Sequence, residues 1–262
     1  MIADNQKTNA DSPAWLRALA GEDLPASVMV GGSSYQRVRT FKHDFFAATG
    51  LYQGGAQKIV VKIGRIAPVF GIPLRWLGRV LTEHEIRLYT HAQGIAGVPK
   101  FVGRWGPTGF AHEYVEGRPL SRDDAPGDRF FGQLAAILEA LHHRDIAYVD
   151  LEKRENVLLG EDGRPYLIDF QISWHVPANR GGQTLFLRLI GDMLRASDRY
   201  HLYKHWRRLR PDQLSRADAD RFGRPPFWIR WHRWVFRPLT LLRRQVLVWL
   251  GARDDIRVRS PG

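Results

Sequence analysis

The chain has 262 residues, 44% hydrophobic and 25% charged, a composition typical of a globular protein with a sizeable core. It has no cysteine, which excludes disulfides, thiolate metal sites and cysteine nucleophiles and suits a reducing compartment. The net charge is +12, and residues 201–262, with 15 Lys and Arg against 5 Asp and Glu, carry +10 of it. A polar N-terminus and the lack of an apolar run of ~18 residues predict neither a signal peptide nor a membrane-spanning helix.

The first part of the chain is rich in predicted strands. Alternating or β-branched stretches with turn residues between them indicate five strands, at residues 36–41, 45–53, 58–63, 100–104 and 110–115. Gly54-Gly55 is typical of a hairpin turn between the second and third of them. The Pro- and Trp-bearing residues 66–81 form a connector to a predicted helix over 82–92, and residues 116–119 break the pattern as a hinge would.

The second part is predicted to be mainly helical. Its clearest helix covers 130–142, where apolar residues recur at helical spacing: Phe130, Leu134, Ile137, Leu138 and Leu141. Three short hydrophobic runs follow, at 146–151, 156–159 and 166–170. Beyond Trp174 the chain becomes helical and basic, with linker signals near residues 211–212 and 224–226.

Polar residues adjoin those three hydrophobic runs in an order that points to phosphoryl transfer. They are Asp150, Asn156 and Asp169, the last followed by Phe170. Transfer of a phosphoryl group from a nucleotide uses one Asp to accept the proton of the acceptor hydroxyl, and an Asn and a second Asp to hold Mg²⁺. The order Asp, Asn, Asp-Phe is that of a kinase catalytic loop followed by a metal-binding loop.

Over residues 36–175 the sequence resembles the protein-kinase-like superfamily, and more closely its small bacterial members, the lipopolysaccharide core kinases that phosphorylate Kdo or heptose sugars. The resemblance implies an α+β fold of two lobes, an antiparallel-sheet lobe at 36–116 and a mainly helical lobe at 117–224. An N-terminal appendage at 1–35 and a basic, Trp- and Arg-rich extension at 225–262 would flank them. His143-Arg144-Asp145 spells the kinase triplet, but no Asn follows it at the needed distance, so we interpret it as a solvated helix end.

The resemblance also implies roles for individual residues. Asp150 would be the catalytic base, and Asn156 and Asp169 would bind Mg²⁺ on the phosphates of ATP. Lys62 would pair with those phosphates and Glu85 would hold Lys62, although Glu83 competes for that role. Lys153, or Arg154, would reach the transferring phosphate. Lys42, or backbone amides near it, would cover the phosphates.

Several departures from the family pattern keep a second hypothesis open. Asn156 lies one residue farther from Asp150 than in the usual kinase loop, and Tyr148 and Val149 replace the His and Arg of the triplet. No Gly-x-Gly-x-x-Gly precedes Lys62, where residues 41–50 form the turn instead. A catalytically silent, kinase-like binding module would share these features.

The basic C-terminal segment has three interpretations. In a helix, Trp228, Trp231 and Trp234 share one face and the arginines the other, which suits an anionic membrane surface. The same face can instead pack on the helical lobe, and nucleic acid is disfavoured because no nucleic-acid motif accompanies the charge. His201 and His205, four residues apart, are interpreted as surface histidines rather than metal ligands.

The leading hypothesis is an ATP- and Mg²⁺-dependent kinase with a hydroxyl-bearing acceptor, either a lipopolysaccharide-core sugar or a protein Ser or Thr. It predicts a cytoplasmic protein, peripheral to the inner face of the cytoplasmic membrane. The sequence indicates neither the acceptor nor the oligomeric state.

Overall fold

The computed structural model describes residues 17–19, 23–69, 71–176 and 185–214. A sheet-rich half is followed by a mainly helical half, as the resemblance implied. The predicted C-terminal extension at 225–262 lies outside the described residues, as does much of the predicted appendage at 1–35.

Six antiparallel strands form the main sheet. In chain order they are β1 (Ser27–Val30), β2 (Ser33–His43), β3 (Ala47–Gly54), β4 (Gln57–Gly64), β5 (Phe101–Trp105) and β6 (Gly109–Glu113). Their spatial order is β1-β2-β3-β4-β6-β5. The predicted hairpin joins β3 to β4, where Gly55 has a φ of +59° that suits glycine. The sheet begins before the boundary predicted at residue 36, because β1 pairs with β2 and buries Val28 and Val30.

Helix α1 (Arg75–Ala92) packs against this sheet and begins earlier than the sequence pattern indicated. Its first turns lie in the stretch interpreted as a connector. A Cβ at Gly78 would be 2.1 Å from the carbonyl oxygen of Arg65, so glycine allows the helix to approach the chain after β4. Thr82 Oγ1 then donates a hydrogen bond to the carbonyl oxygen of Thr108 at 2.9 Å. The early start therefore follows from close backbone packing, which hydrophobic periodicity does not report.

The second half contains short strands between two long helices. The elements are β7 (Gly117–Pro119), α2 (Phe130–His143), β8 (Ile146–Ala147), β9 (Val157–Gly160), β10 (Pro165–Leu167), β11 (Trp174–His175) and α3 (Leu185–Leu209). The predicted break at 116–119 includes β7, which pairs with β9. Only the start of the hydrophobic run at 146–151 forms a strand, because the chain then enters two one-turn 3₁₀ helices at Asp150–Glu152 and Arg154–Asn156.

One hydrophobic core joins the two halves. Tyr89 from α1 and Phe110 from β6 belong to the same buried cluster as Leu134 and Leu138 from α2 and Phe170 after β10. Dense packing of this kind resists relative displacement of the elements that share it. The helix of the sheet half is thus fixed against the segments that carry the predicted site residues. No helix within the described ranges is long and apolar enough to cross a membrane.

Candidate active site

Lys62 lies in β4 and bridges two carboxylates from other parts of the fold. Its Nζ is 2.9 Å from Glu85 Oε1 on α1 and 2.8 Å from Asp169 Oδ1, just after β10. The side chains of Lys62 and Glu85 are 14% and 3% exposed. Glu83, the competing residue, pairs with Arg104 instead. The structure thus unites Lys62, Glu85 and Asp169, hereafter the buried cluster.

Charge compensation sets the protonation states in the buried cluster. Burial alone lowers the pKa of Lys62, but the two carboxylates outweigh it and the pKa lies above the ordinary range. Burial raises the pKa of Glu85 to about 7, although the Lys62 ammonium opposes that shift. Burial also acts to raise the pKa of Asp169, but Lys62 outweighs it and the pKa lies below its usual value. Lys62 therefore stays charged, and the carboxyl group of Asp169 has the lower pKa of the two acids.

A second set of predicted residues lies on the two 3₁₀ turns between β8 and β9. Asp150 Oδ2 accepts hydrogen bonds from Lys153 Nζ at 2.7 Å and from Asn156 Nδ2 at 2.8 Å. Asp150 Oδ1 has no hydrogen-bond donor within the described part of the chain. We call Asp150, Lys153 and Asn156 the loop cluster.

The environment of Asp150 suits a proton acceptor. Burial raises the pKa of its carboxyl group, although the hydrogen bond and the charge of Lys153 act in the opposite direction. One carboxylate oxygen is anchored and the other is open. A general base needs an accessible lone pair and a pKa near the working pH. Asp150 has an oxygen without a donor among the described residues and a raised pKa, so it fits both requirements.

Asn156 and Asp169 retain oxygens that fit a magnesium ion. The amide of Asn156 bonds through its nitrogen to Asp150, and no described residue donates to its Oδ1. Asp169 Oδ2 likewise has no donor among the described side chains and amides, since Lys62 and Gln171 N contact Oδ1. Mg²⁺ is commonly bound by one or two protein oxygens together with phosphate and water. These two residues therefore fit that ion.

The two clusters lie side by side. The backbone N–H of Ile168 donates to the carbonyl oxygen of Asn156 at 3.1 Å, so the segment carrying Asp169 runs against the second 3₁₀ turn. Burial acts to raise the pKa of Asp169, and the positive charge of Lys153 in the loop cluster is one of the effects that lower it. A phosphate chain held at Lys62 would thus have the proton acceptor and both oxygen ligands nearby.

Asp198, in the middle of α3, supports the loop cluster, and the sequence pattern did not single it out. Val149, immediately before the predicted base, has a φ of +69°, a strained value for a β-branched residue. The fully buried Asp198 carboxylate accepts the backbone N–H groups of Tyr148 at 2.8 Å and Val149 at 2.7 Å. The sequence does contain a signal for its burial, because Asp198 lies at helical spacing from the buried residues Leu202 and Leu209.

A column of aromatic rings fixes the segment after Asp169. The buried ring of Phe170 lies 5.3 Å from that of Tyr148 and 4.9 Å from that of Tyr89 on α1. Tyr89 stacks on His112 of β6 with a centroid distance of 5.3 Å. Burial lowers the pKa of His112 to about 4, so the column is uncharged at neutral pH. It connects both halves and supports Asp169, whose φ is +62°.

Lys42 lies at the end of β2, and the structure does not bring it into either cluster. Its Nζ is 2.8 Å from Asp44 Oδ2, and its side chain is 61% exposed. Asp44 Oδ1 accepts the N–H of Phe46 at 2.8 Å, and buried Arg65 donates to the carbonyl oxygen of Phe45 at 2.8 Å. A carboxylate and an arginine therefore fix the turn where the kinase pattern has glycines.

The triplet His143-Arg144-Asp145 contributes to neither cluster. The side chain of His143 is 78% exposed, as expected of a solvated helix end. Arg144, however, donates to the carbonyl oxygens of His91 and Gln93 at the end of α1. Asp145 pairs with Arg195 of α3 at 3.1 Å. Two of the three residues therefore make structural contacts, and Arg144 does so while remaining exposed.

The interpretation of His201 and His205 as surface residues is wrong. They are 5% and 4% exposed on the inner face of α3. His205 Nε2 lies 2.7 Å from the carbonyl oxygen of Leu151, so this histidine braces the turn next to Asp150. The described ranges contain no group of three or more His, Cys, Asp or Glu residues able to hold a metal ion.

Comparisons with known proteins give limited similarity. No protein-family model matches the chain, and no curated protein matches it either. The chain is similar to a solved structure described as the kinase domain of PF14_0431, at 14% identity and a TM-score of 0.48, over 69% of this chain and 67% of that one. A likeness at that level carries no conclusion, so the fold rests on the topology itself. The antiparallel sheet and the helical half fit an α+β kinase-like fold.

Proposed function

We propose that the protein is an ATP- and Mg²⁺-dependent phosphotransferase that transfers the γ-phosphoryl group to a hydroxyl group. The observation that supports this most strongly is the bridge from Lys62 to Glu85 and Asp169, beside the loop that holds Asp150 and Asn156. Together these residues offer a cation for phosphate, two oxygen ligands for a metal ion and a proton acceptor. Phosphoryl transfer from a nucleotide requires this combination.

Each residue has a defined part in the proposed reaction. The acceptor oxygen bonds to the γ-phosphorus while the bond to the bridging oxygen of the departing ADP breaks. Asp150 takes the hydroxyl proton on its open Oδ1. Lys62 orients the phosphates, and Lys153, whose Nζ contacts Asp150, offsets charge on the transferring group. Mg²⁺ held by Asn156 and Asp169 would neutralise charge between the phosphates.

We further propose that the acceptor is a sugar of the lipopolysaccharide core, with a protein Ser or Thr as the alternative. Anionic lipid on the inner face of the cytoplasmic membrane would bind the basic tail. The concentration of ten of the twelve net positive charges in residues 201–262 supports this location. Flotation with anionic liposomes tests it: the full chain is expected to float and a chain ending at Pro225 to float less. Equal flotation of the two chains would remove the membrane role.

A catalytically silent, kinase-like module is the second candidate. The observation that favours it is the turn at residues 43–47, which Asp44 and Arg65 fix and which has no glycine. Such a turn could hinder the entry of phosphates. This candidate predicts a folded protein that binds a partner or a membrane but neither ATP nor an acceptor.

Thermal unfolding with and without Mg-ATP separates the two candidates. The kinase proposal predicts that Mg-ATP raises the unfolding temperature of the full chain, because a ligand of the native state stabilises it. Lys62→Ala is expected to abolish the shift, whereas Lys58→Ala, on the same strand but paired with Glu116 on the surface, is expected to keep it. If Mg-ATP leaves the unfolding temperature unchanged, the proposed kinase function fails.

A further inference from the structure

Three arginines from separate elements lie near the two consecutive 3₁₀ turns that carry Asp150 and Asn156. Arg154 begins the 3₁₀ turn that ends at Asn156. Arg122 follows β7, whose Pro119 pairs with Leu158 in the strand after that turn. Arg208 is in the last turn of α3.

Contacts of α3 place Arg208 on the face toward this turn. Lys204 Nζ is 3.3 Å from Glu152 Oε1, and His205 Nε2 is 2.7 Å from the carbonyl oxygen of Leu151. Arg208 follows these two residues by four and three positions, so it shares their side of the helix. Burial lowers the pKa of the Arg154 guanidinium, the nearby positive charges of Arg122 and Arg208 lower it further, and the negative charge of Asp123 acts in the opposite direction.

These three guanidinium groups differ from other arginines nearby. Arg118 pairs with Asp124 at 2.6 Å, and Arg210 pairs with Asp128 at 2.6 Å. By contrast, no described residue forms an ion pair or a hydrogen bond with the guanidinium groups of Arg122, Arg154 and Arg208, although the charge of Asp123 acts on Arg154. Three cations outnumber the single carboxylate of Asp123, which forms no ion pair with them, so a shared anion would stabilise this arrangement.

We propose that Arg122, Arg154 and Arg208 form a subsite for an anionic group, a phosphate or a carboxylate, carried by the acceptor. The subsite lies next to Lys153, and so beside the position where the acceptor hydroxyl meets Asp150. It rests on the proposed function, because it names the substrate class of that same site. The acceptor is then an anionic molecule, such as a phosphorylated or carboxylated sugar, rather than a neutral or basic peptide.

Inorganic phosphate is the probe for this subsite. The full chain is saturated with Mg-ADP and titrated with phosphate by calorimetry. Arg154→Gln and Arg208→Gln are each expected to raise the Kd of phosphate roughly fivefold, in line with the loss of one partly exposed charge pair. Arg207→Gln removes the same charge from the neighbouring position of α3 and is expected to change nothing. Equal phosphate affinity in all four proteins would overturn the proposal.

Two further experiments distinguish a lipid headgroup from a soluble anion, and failure of the subsite from failure of the kinase function. Vesicles of phosphatidylcholine with phosphatidic acid would bind the wild type better than Arg154→Gln if a lipid headgroup supplies the anion. An effect limited to soluble phosphate would assign the anion to the soluble part of the acceptor. If Mg-ADP does not bind, the kinase function fails, and the same titration of nucleotide-free protein still tests the arginines. Unchanged affinity there would overturn the subsite as well.

Discussion

The two clusters use the same chemistry, lysine against carboxylate, in opposite settings. In the buried cluster, Lys62 is 14% exposed and sits between two carboxylates from different elements. In the loop cluster, Lys153 is 53% exposed and contacts a carboxylate three residues away in the chain. The first arrangement holds its lysine in place from two sides. The second leaves its lysine free to move toward a substrate.

This difference shows that a lysine–carboxylate pair can either hold a side chain in a fixed position or let it exchange partners. A buried charge must remain paired, because leaving it unpaired is costly, so the cluster of Lys62 is effectively rigid. An exposed pair contributes little stability and can exchange partners. The proposed nucleotide contacts lie in the rigid cluster and the proposed acceptor contacts in the adaptable one, a division that suits the proposed transferase with two substrates. The following predictions test that division.

The largest expected effect is on transfer by the loop cluster. Asp150→Asn removes the proton acceptor, so we expect single-turnover transfer to fall about a thousandfold, within the range typical of general bases. Mg-ATP affinity is expected to remain nearly unchanged, because Asp150 does not contact Lys62 and the new carboxamide oxygen can still accept the hydrogen bond from Asn156 Nδ2. Asp145→Asn, in the triplet that spells the kinase motif, is the matched control and should transfer at nearly the normal rate. A larger loss in Asp145→Asn than in Asp150→Asn would reverse the assignment of the base.

The next effect concerns stability of the buried cluster. Lys62→Met leaves Glu85 and Asp169 close together without their cation, and we expect unfolding free energy to fall by about 3 kcal/mol in urea titrations. Glu85 has its pKa raised to about 7, so protonation relieves this repulsion and the loss should be smaller at pH 5 than at pH 8. A pH-independent loss would show that Glu85 is not the group responsible.

Asp198 on α3 links the helical half to the turn that carries the loop cluster. Asp198→Asn replaces a charged acceptor of two backbone N–H groups, and we expect a loss of about 2 kcal/mol in unfolding free energy. Weaker support lets the strained backbone at Val149 relax and move Asp150, so transfer should slow while Mg-ATP affinity stays normal. The control is Asp192→Asn, an exposed position in the same helix. An unchanged rate in Asp198→Asn would show that the turn holds its conformation without this carboxylate.

The smallest effect is a shift in pH dependence. Burial raises the pKa of Asp150 and Lys153 counters that shift, so transfer should decline as the pH falls through this pKa. Lys153→Met removes the counteracting charge, so the acidic limb should move to higher pH, and kcat should fall about tenfold. Glu155→Gln is the control, since its exposed side chain lies in the 3₁₀ turn that follows Lys153. Overlapping profiles for the wild type and Lys153→Met would mean that Lys153 does not act on Asp150.

Much of the architecture could be predicted from local sequence. Alternation located most strands of the main sheet, and apolar spacing located α2 within one residue of its end. Both signals are local consequences of burying one face of an element. The start of α1 was not predictable in this way, because Gly78 matters only through its contact with the backbone of Arg65.

The sequence by itself determined which chemical groups are available: an Asp, Asn, Asp order, a lysine in a strand and a glutamate in the helix after it. Only the tertiary structure decided that Lys62 joins Glu85 and Asp169, that Asp198 supports the strained turn and that His205 contacts the carbonyl oxygen of Leu151. These contacts join residues far apart in the chain. Local patterns report the face that a side chain occupies, whereas its partner depends on how elements pack together.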